Sequence, residues 1–431
     1  MIAYLPPVLL ILTVIWPLLL AIPLLNRYIQ NAPMLALLPA VCLALYPGVI
    51  DYNVEWILLG SGIELNGNNR WILLVSVMIW ASSALIDKSH GEGFTHSSNS
   101  SFYFLAMGGQ LAAILSTDLI GFFSAASLMG YAFYGFLNSS IEQQYRRYWN
   151  LYLVFLVVAD LALFEAMIMA VSATEITRFN VLRWIISDTQ NAQIYVWMTV
   201  TGFALKAGIW PAHRWIIAAY TGTPLSVKIL LFGVPLMTAL FGLLKWLPNW
   251  DNSLSIPGSV IMLWGLMTAI YALIKLLQNR QRVLIPLWLI FLVSGVFLSV
   301  IGAGFVVTQD WSDYKSYFFI SLSLGGFSIT ALIIYLTIGQ NQQHLSAPFS
   351  SAGQTEDTTQ AQQRENKVLT LLSANYLVTR LQYLQVAAFQ LVDVTRQRAV
   401  NQLNKIMDEP GWTVAITFFM LFILIIVSLS L

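Results

Sequence analysis

Residues 194–233 read IYVWMTVTGFALKAGIWPAHRWIIAAYTGTPLSVKILLFG. One apolar run enters this stretch and a second leaves it. Between them stand Lys206, Gly208, Pro211, the pair His213-Arg214, and a turn at Gly222-Thr223-Pro224. A lysine about a dozen residues into a membrane helix costs roughly 2.5–3.5 kcal/mol at the bilayer centre, so such residues face a bundle interior or a wet cavity. Five residues later, Pro211 removes a backbone donor and opens the hydrogen-bond ladder, leaving carbonyls in need of other partners. A buried ammonium beside a broken helix is a physical basis for an ion or proton site.

Composition agrees with a membrane reading. The chain has 431 residues, 58% hydrophobic and only 10% charged, with a mean hydropathy of +0.72. A soluble domain of this length carries about 25% charged residues. The fold class expected is therefore an all-α polytopic membrane protein. Cys42 is the single cysteine, and the four histidines, His90, His96, His213 and His344, are dispersed. No disulfide framework and no metal-ligand spacing follows from them. No glycine-rich phosphate loop or nucleophile motif is present, so no catalytic site, cofactor or nucleic-acid partner is expected. The first apolar run lacks a basic leader and a cleavage signal and reads as a retained helix.

Apolar runs long enough to span a bilayer occur at about 5–25, 32–50, 70–86, 101–117, 119–138, 149–172, 193–212, 224–247, 256–278, 283–305, 315–338 and 412–431. That makes about twelve transmembrane helices, the seventh continuing over 213–222 after its break near Pro211. Orientation follows from the basic residues of the connections. With the N-terminus outside, the inner connections hold Arg27, Lys88, Arg146, Arg147, Arg214, Lys275, Arg280, Arg282, Arg364, Lys367, Arg380, Arg396, Arg398 and Lys405. The outer ones hold Arg70, Arg178, Arg183, Lys245 and Lys315. The bias places both termini on the outer side.

Gly202, Lys206-Ala207-Gly208, Pro211, His213, Trp215, Pro224 and Gly233 resemble, without a gap, the signature helix of the antiporter-like membrane subunits. These belong to respiratory complex I, membrane-bound hydrogenases, multi-subunit cation/proton antiporters and inorganic-carbon uptake complexes. In that family the lysine loads and releases a proton at mid-membrane, and the resemblance implies this role for Lys206. It also implies a bacterial inner membrane or equivalent energy-coupling membrane. The family usually carries a glutamate on the fifth helix as the lysine's partner. Matching Tyr131-Ala132-Phe133-Tyr134-Gly135-Phe136 to the family's aromatic-glycine ending places Ser124 there, a departure that brings ordinary pumping into question.

Two carboxylates lie too deep for a loop, Asp160 and Glu165 in LVFLVVADLALFEAMIMA. Five residues apart, they differ by about 140° around a helix and do not share a partner. Asp160, where the family often has an aspartate, is the expected counter-charge for Lys206, with Glu165 a weaker candidate on the pathway. Lys228 is a displaced substitute for the family's relay residue on the eighth helix. Lys315 resembles a family lysine that lies within the membrane, although the topology puts it near the outer boundary.

Four regions are expected: a helix bundle over 1–338, a Gln/Ser/Thr-rich cytoplasmic linker over 339–365, an amphipathic lateral helix over 366–408, and an anchor over 409–431. The resemblance covers about residues 60–330 and the tail, with a deletion between them. Two functions fit. One is a proton- or Na⁺-translocating subunit of a hetero-oligomeric complex. The other is a non-conducting scaffold that docks a catalytic or pumping partner such as a hydrogenase, a quinone oxidoreductase or a CO₂-hydrating subunit.

Overall fold

The computed structural model describes residues 5–25, 33–53, 60–90, 100–141, 145–249, 254–278, 284–307 and most of 317–333. The linker, the lateral helix, the last apolar run, His96, His344 and Lys315 lie outside the described residues.

Each apolar run that falls within the described residues contains helix. Helix α1 spans Leu5–Leu20, and α2, Leu38–Leu45, follows a 3₁₀ turn at Pro33–Leu37. A small antiparallel hairpin follows, β1 (Ile50–Asn53) on β2 (Gly62–Leu65), with Ile50 opposite Leu65. Then come α3 (Gly67–His90), α4 (Ser100–Leu115), α5 (Leu119–Ser140) and α6 (Arg146–Thr174). A short helix α7, Phe179–Ile185, precedes α8, Ala192–Ala207, and α9, Arg214–Thr221. Helices α10 (Leu225–Leu231) and α11 (Met237–Trp246) join through a π-helical turn at Phe232–Leu236, and α12 (Ser255–Gln278), α13 (Ile285–Val307) and α14 (Tyr317–Gly326) complete the order.

Six of these segments are long and apolar enough to cross a membrane, counting Leu225–Trp246 as one, and four apolar helices are shorter. The expected total of twelve therefore extends beyond the spans that length alone supports. Two boundaries differ from expectation. The run at 32–50 keeps only eight α-helical residues before the hairpin begins. The connection at 173–192, read as a plain outer loop, contains α7.

One end of the bundle is tied together by Asp118. It caps α5 by accepting a hydrogen bond from the Gly121 amide (2.8 Å), as N-capping carboxylates do. It also accepts from Ser61 Oγ and the Gly62 amide, both at 3.0 Å, which fixes the hairpin to the α4–α5 turn. At the same end Lys245, expected on the surface, is buried. Its Nζ donates to the Ile114 and Ser116 carbonyls, which the end of α4 leaves unsatisfied. Arg183 of α7 does the same for α11, donating to the Leu244 and Lys245 carbonyls at 3.1 Å.

Helix contacts inside the bundle depend on small residues. A Cβ at Gly265 or Gly302 would run into the backbone of the facing helix, at Ser299 and Met262, so α12 and α13 pack backbone to backbone. Gly202 plays this part between α8 and α6, where an added Cβ would lie 2.5 Å from Leu163 Cγ and 3.1 Å from the Ala159 carbonyl. This contact positions the site.

Candidate functional site

Helix α8 ends at Ala207, and the break begins at Gly208 rather than at Pro211. Gly208 takes φ +62°, the left-handed conformation that suits a glycine after a helix C-terminus. The Ile209 amide then closes back on the Ala204 carbonyl at 2.9 Å. Pro211 lies inside the non-helical segment 208–213, and α9 resumes at Arg214. Carbonyls released by the break are met by side chains. Trp264 Nε1 of α12 donates to the Trp210 carbonyl at 2.6 Å, and His213 Nδ1 lies 3.1 Å from the Pro211 carbonyl.

Lys206 is the next-to-last residue of α8. Its ammonium is placed at the negative end of a half-helix, where a cation is favoured. One turn earlier on the same face, Gly202 lets α8 approach α6 closely. Lys206 Nζ lies 2.6 Å from Asp160 Oδ1, and the two side chains are only 5% and 11% exposed. Ser127 of α5 donates a hydrogen bond to the same Oδ1 at 3.0 Å, and the Tyr131 phenol lies beside the carboxylate. Asp160 Oδ2 is buried without a well-aligned donor. Asp160 is also central in depth, since the midpoint of the span Trp149–Thr174 falls between 161 and 162. Three helices thus converge on one largely buried ion pair.

Two turns before Asp160 an aromatic cluster closes the space between α6 and α9. Tyr152 and Trp215 have ring centroids 4.2 Å apart, and Trp149 stacks on Tyr152 at 4.9 Å. His213 meets α12. Its Nε2 lies 2.9 Å from the Tyr271 hydroxyl, and the Lys275 ammonium sits 5.7 Å from the Tyr271 ring.

The other sequence candidates are placed elsewhere. Ser124 lines a cavity of about 280 Å³ shared with Ile11, Leu18, Ser61 and Ile63. The serine of α5 that meets the ion pair is Ser127, three residues on. Lys228 is half-buried, with its ammonium 5.3 Å from the Tyr220 ring. Pro224 precedes α10 and ends the turn after α9. Glu165 is exposed on the outer face of α6. The sequence reading missed Gln110, a wholly buried side chain that accepts from Trp80 Nε1 (2.7 Å) and donates to the Gly233 carbonyl (2.6 Å) and Thr238 Oγ1 (3.1 Å). Its signal was the amide itself, a polar side chain inside an apolar run that burial obliges to find partners. Among the described residues no cluster of His, Cys, Asp or Glu could hold a metal ion.

Residues 116–285, which contain the ion pair, the break and His213, match the family described as NADH:quinone oxidoreductase/Mrp antiporter, transmembrane. Over these residues the chain resembles that family. A curated relative, the NADH-quinone oxidoreductase subunit M of Buchnera aphidicola subsp. Baizongia pistaciae (strain Bp), is 25% identical over 140 residues. That alignment covers 32% of this chain and 26% of the relative. Two solved structures share the fold. One is a chain of the Mrp complex from Dietzia sp. DQ12-45-1b, with a TM-score of 0.60 and 17% identity, covering 76% of this chain and 65% of that one. The other belongs to the membrane-bound sulfane sulfur reductase, an archaeal respiratory membrane complex, with a TM-score of 0.57, 18% identity and coverage of 76% and 56%. The chain thus matches about a quarter of the curated relative and under two thirds of each solved one. Its resemblance to the antiporter-like subunits of complex I and related assemblies, read above from 202–233, stands on these matches.

Proposed function

We propose that this antiporter-like subunit moves protons within a hetero-oligomeric energy-coupling complex, and that the Lys206–Asp160 pair is the group that loads and releases them. The observation that carries this reading is the largely buried ion pair at the end of a broken helix. The two opposite charges offset each other in a low-dielectric interior. A proton delivered to Asp160 removes the counter-charge, and the ammonium then gives up its own proton. One proton enters and one leaves, and the buried region stays neutral at both ends of the step.

A proton suits this site better than Na⁺, because the only carboxylate at the pair is already held by an ammonium that would repel a metal cation. Ser127 orients the carboxylate, and the His213–Tyr271 hydrogen bond offers a polar route from the break toward Lys275. The relatives named above belong to a NADH-quinone oxidoreductase, an Mrp complex and a sulfane sulfur reductase, and a complex of that kind is the setting proposed here. The membrane is the bacterial inner membrane or its equivalent, with both termini outside. The tail, 366–431, is proposed to dock neighbouring subunits.

The test is proton-coupled turnover of the whole complex in liposomes. Lys206→Met should abolish it while the complex still assembles. Full coupled activity in that variant would leave the non-conducting scaffold as the surviving function.

A further inference from the structure

Helix α6 carries a second carboxylate that its own fold does not use. Among the described residues the carboxylate ion pairs are Asp160–Lys206 and Asp51–Arg178, and Glu165 is in neither. Glu165 stands on the exposed side of α6, in a stripe with Val154, Val157, Leu161, Phe164 and Ile168, which are 42–65% exposed. Their three- and four-residue spacing makes one continuous face. At 1.5 Å per residue, Glu165 lies about 5 Å from the midpoint of the span Trp149–Thr174. A glutamate there is too short to reach an interface about 15 Å from the bilayer centre. A carboxylate held at this depth and facing hydrocarbon is costly, and membrane proteins cover such groups with a partner.

We propose that this face of α6 docks a transmembrane helix of a different subunit, which presents a lysine or arginine to Glu165 at mid-membrane. Charge complementarity selects that occupant. A second copy of this chain meeting here about a two-fold axis would bring two Glu165 carboxylates together without a cation. Among the described residues, the lysines within the spans are not suited to this place. Lys206 is taken by Asp160, Lys245 is bonded to backbone carbonyls inside the bundle, and Lys228 lies near the end of its span beside Tyr220. The final apolar run, 412–431, contains no lysine, arginine or histidine. The inference needs only that α6 lies in a membrane, so it is independent of conduction through Lys206.

The experiment places a photo-crosslinking amino acid at Leu161, the most exposed member of the stripe, in the intact complex in native membranes. The expected product joins Leu161 to a transmembrane segment of another subunit, with a lysine or arginine within about one turn of the attachment point. Glu165→Leu, a change that a lipid-facing position tolerates, should lower co-purification of that subunit about thirtyfold or more, as loss of one member of a buried interfacial charge pair does. Glu165→Lys combined with glutamate at the partner's basic residue should restore it. Crosslinks to lipid alone or to a second copy of this chain would overturn the proposal, as would undiminished co-purification of the Glu165→Leu protein. Because this assay reads assembly and not transport, its failure would leave the Lys206 reading standing.

Discussion

Asp160 and Glu165 are five residues apart on one helix and have opposite surroundings. Asp160 is 8% exposed, bonded to Lys206 and Ser127, and enclosed by three helices. Glu165 is turned about 140° away onto the outer face. The difference shows that depth in the membrane does not by itself assign a carboxylate a role. What decides is the neighbour that backbone packing brings to it. Gly202 lets α8 come close enough to deliver an ammonium to Asp160, and no described element approaches the other side of α6 in that way.

The comparison can be broken most severely at Asp160. Asp160→Leu leaves a buried ammonium unpaired and should destabilise the protein by about 3–5 kcal/mol, whereas the double change with Lys206→Met should recover most of that loss. Denaturation of the detergent-solubilised protein measures both. A double variant as unstable as the single one would contradict a tightly coupled pair. Gly202→Val acts one step back, on the packing. It should cost about 1–3 kcal/mol by overfilling the α6–α8 contact, and it should reduce coupled transport without touching either charge. Ser127→Ala removes one hydrogen bond to Asp160 and should cost about 1 kcal/mol in the same denaturation assay. Ser124→Ala, on the same helix but in a different cavity, should stay within about 0.5 kcal/mol. If the two serines exchanged these effects, the helix register at the ion pair would be wrong.

Much of this geometry was legible in the sequence because charge inside an apolar run is rare enough to be informative. Lys206 and the break after it were read from depth and spacing, Asp160 as its counter-charge from depth and the family resemblance, and Lys206 and Asp160 lie 2.6 Å apart. The start of the break was displaced because Pro211 is the stronger signal, although Gly208 with its left-handed φ is what ends α8. Ser124 was placed at the family's glutamate position by aligning an aromatic-glycine ending, whereas the α5 serine beside Asp160 is Ser127. A three-residue offset there turns a side chain by about 60° and moves it into another cavity. Lys245 was read as a loop residue because a cation at the end of an apolar run looks the same whether it meets water or caps a neighbouring helix. Only the unsatisfied carbonyls ending α4 separate the two cases. The helix α7 was hidden in a connection too short and too mixed in composition to show a period.

The central claim is that the Lys206–Asp160 pair carries a proton, and one measurement addresses it most directly. The complex with Lys206→Met is reconstituted into liposomes and its coupled proton transport is followed across a pH series beside the unaltered complex. The account predicts an assembled complex whose coupled transport is absent at every pH. Transport equal to that of the unaltered complex would contradict it.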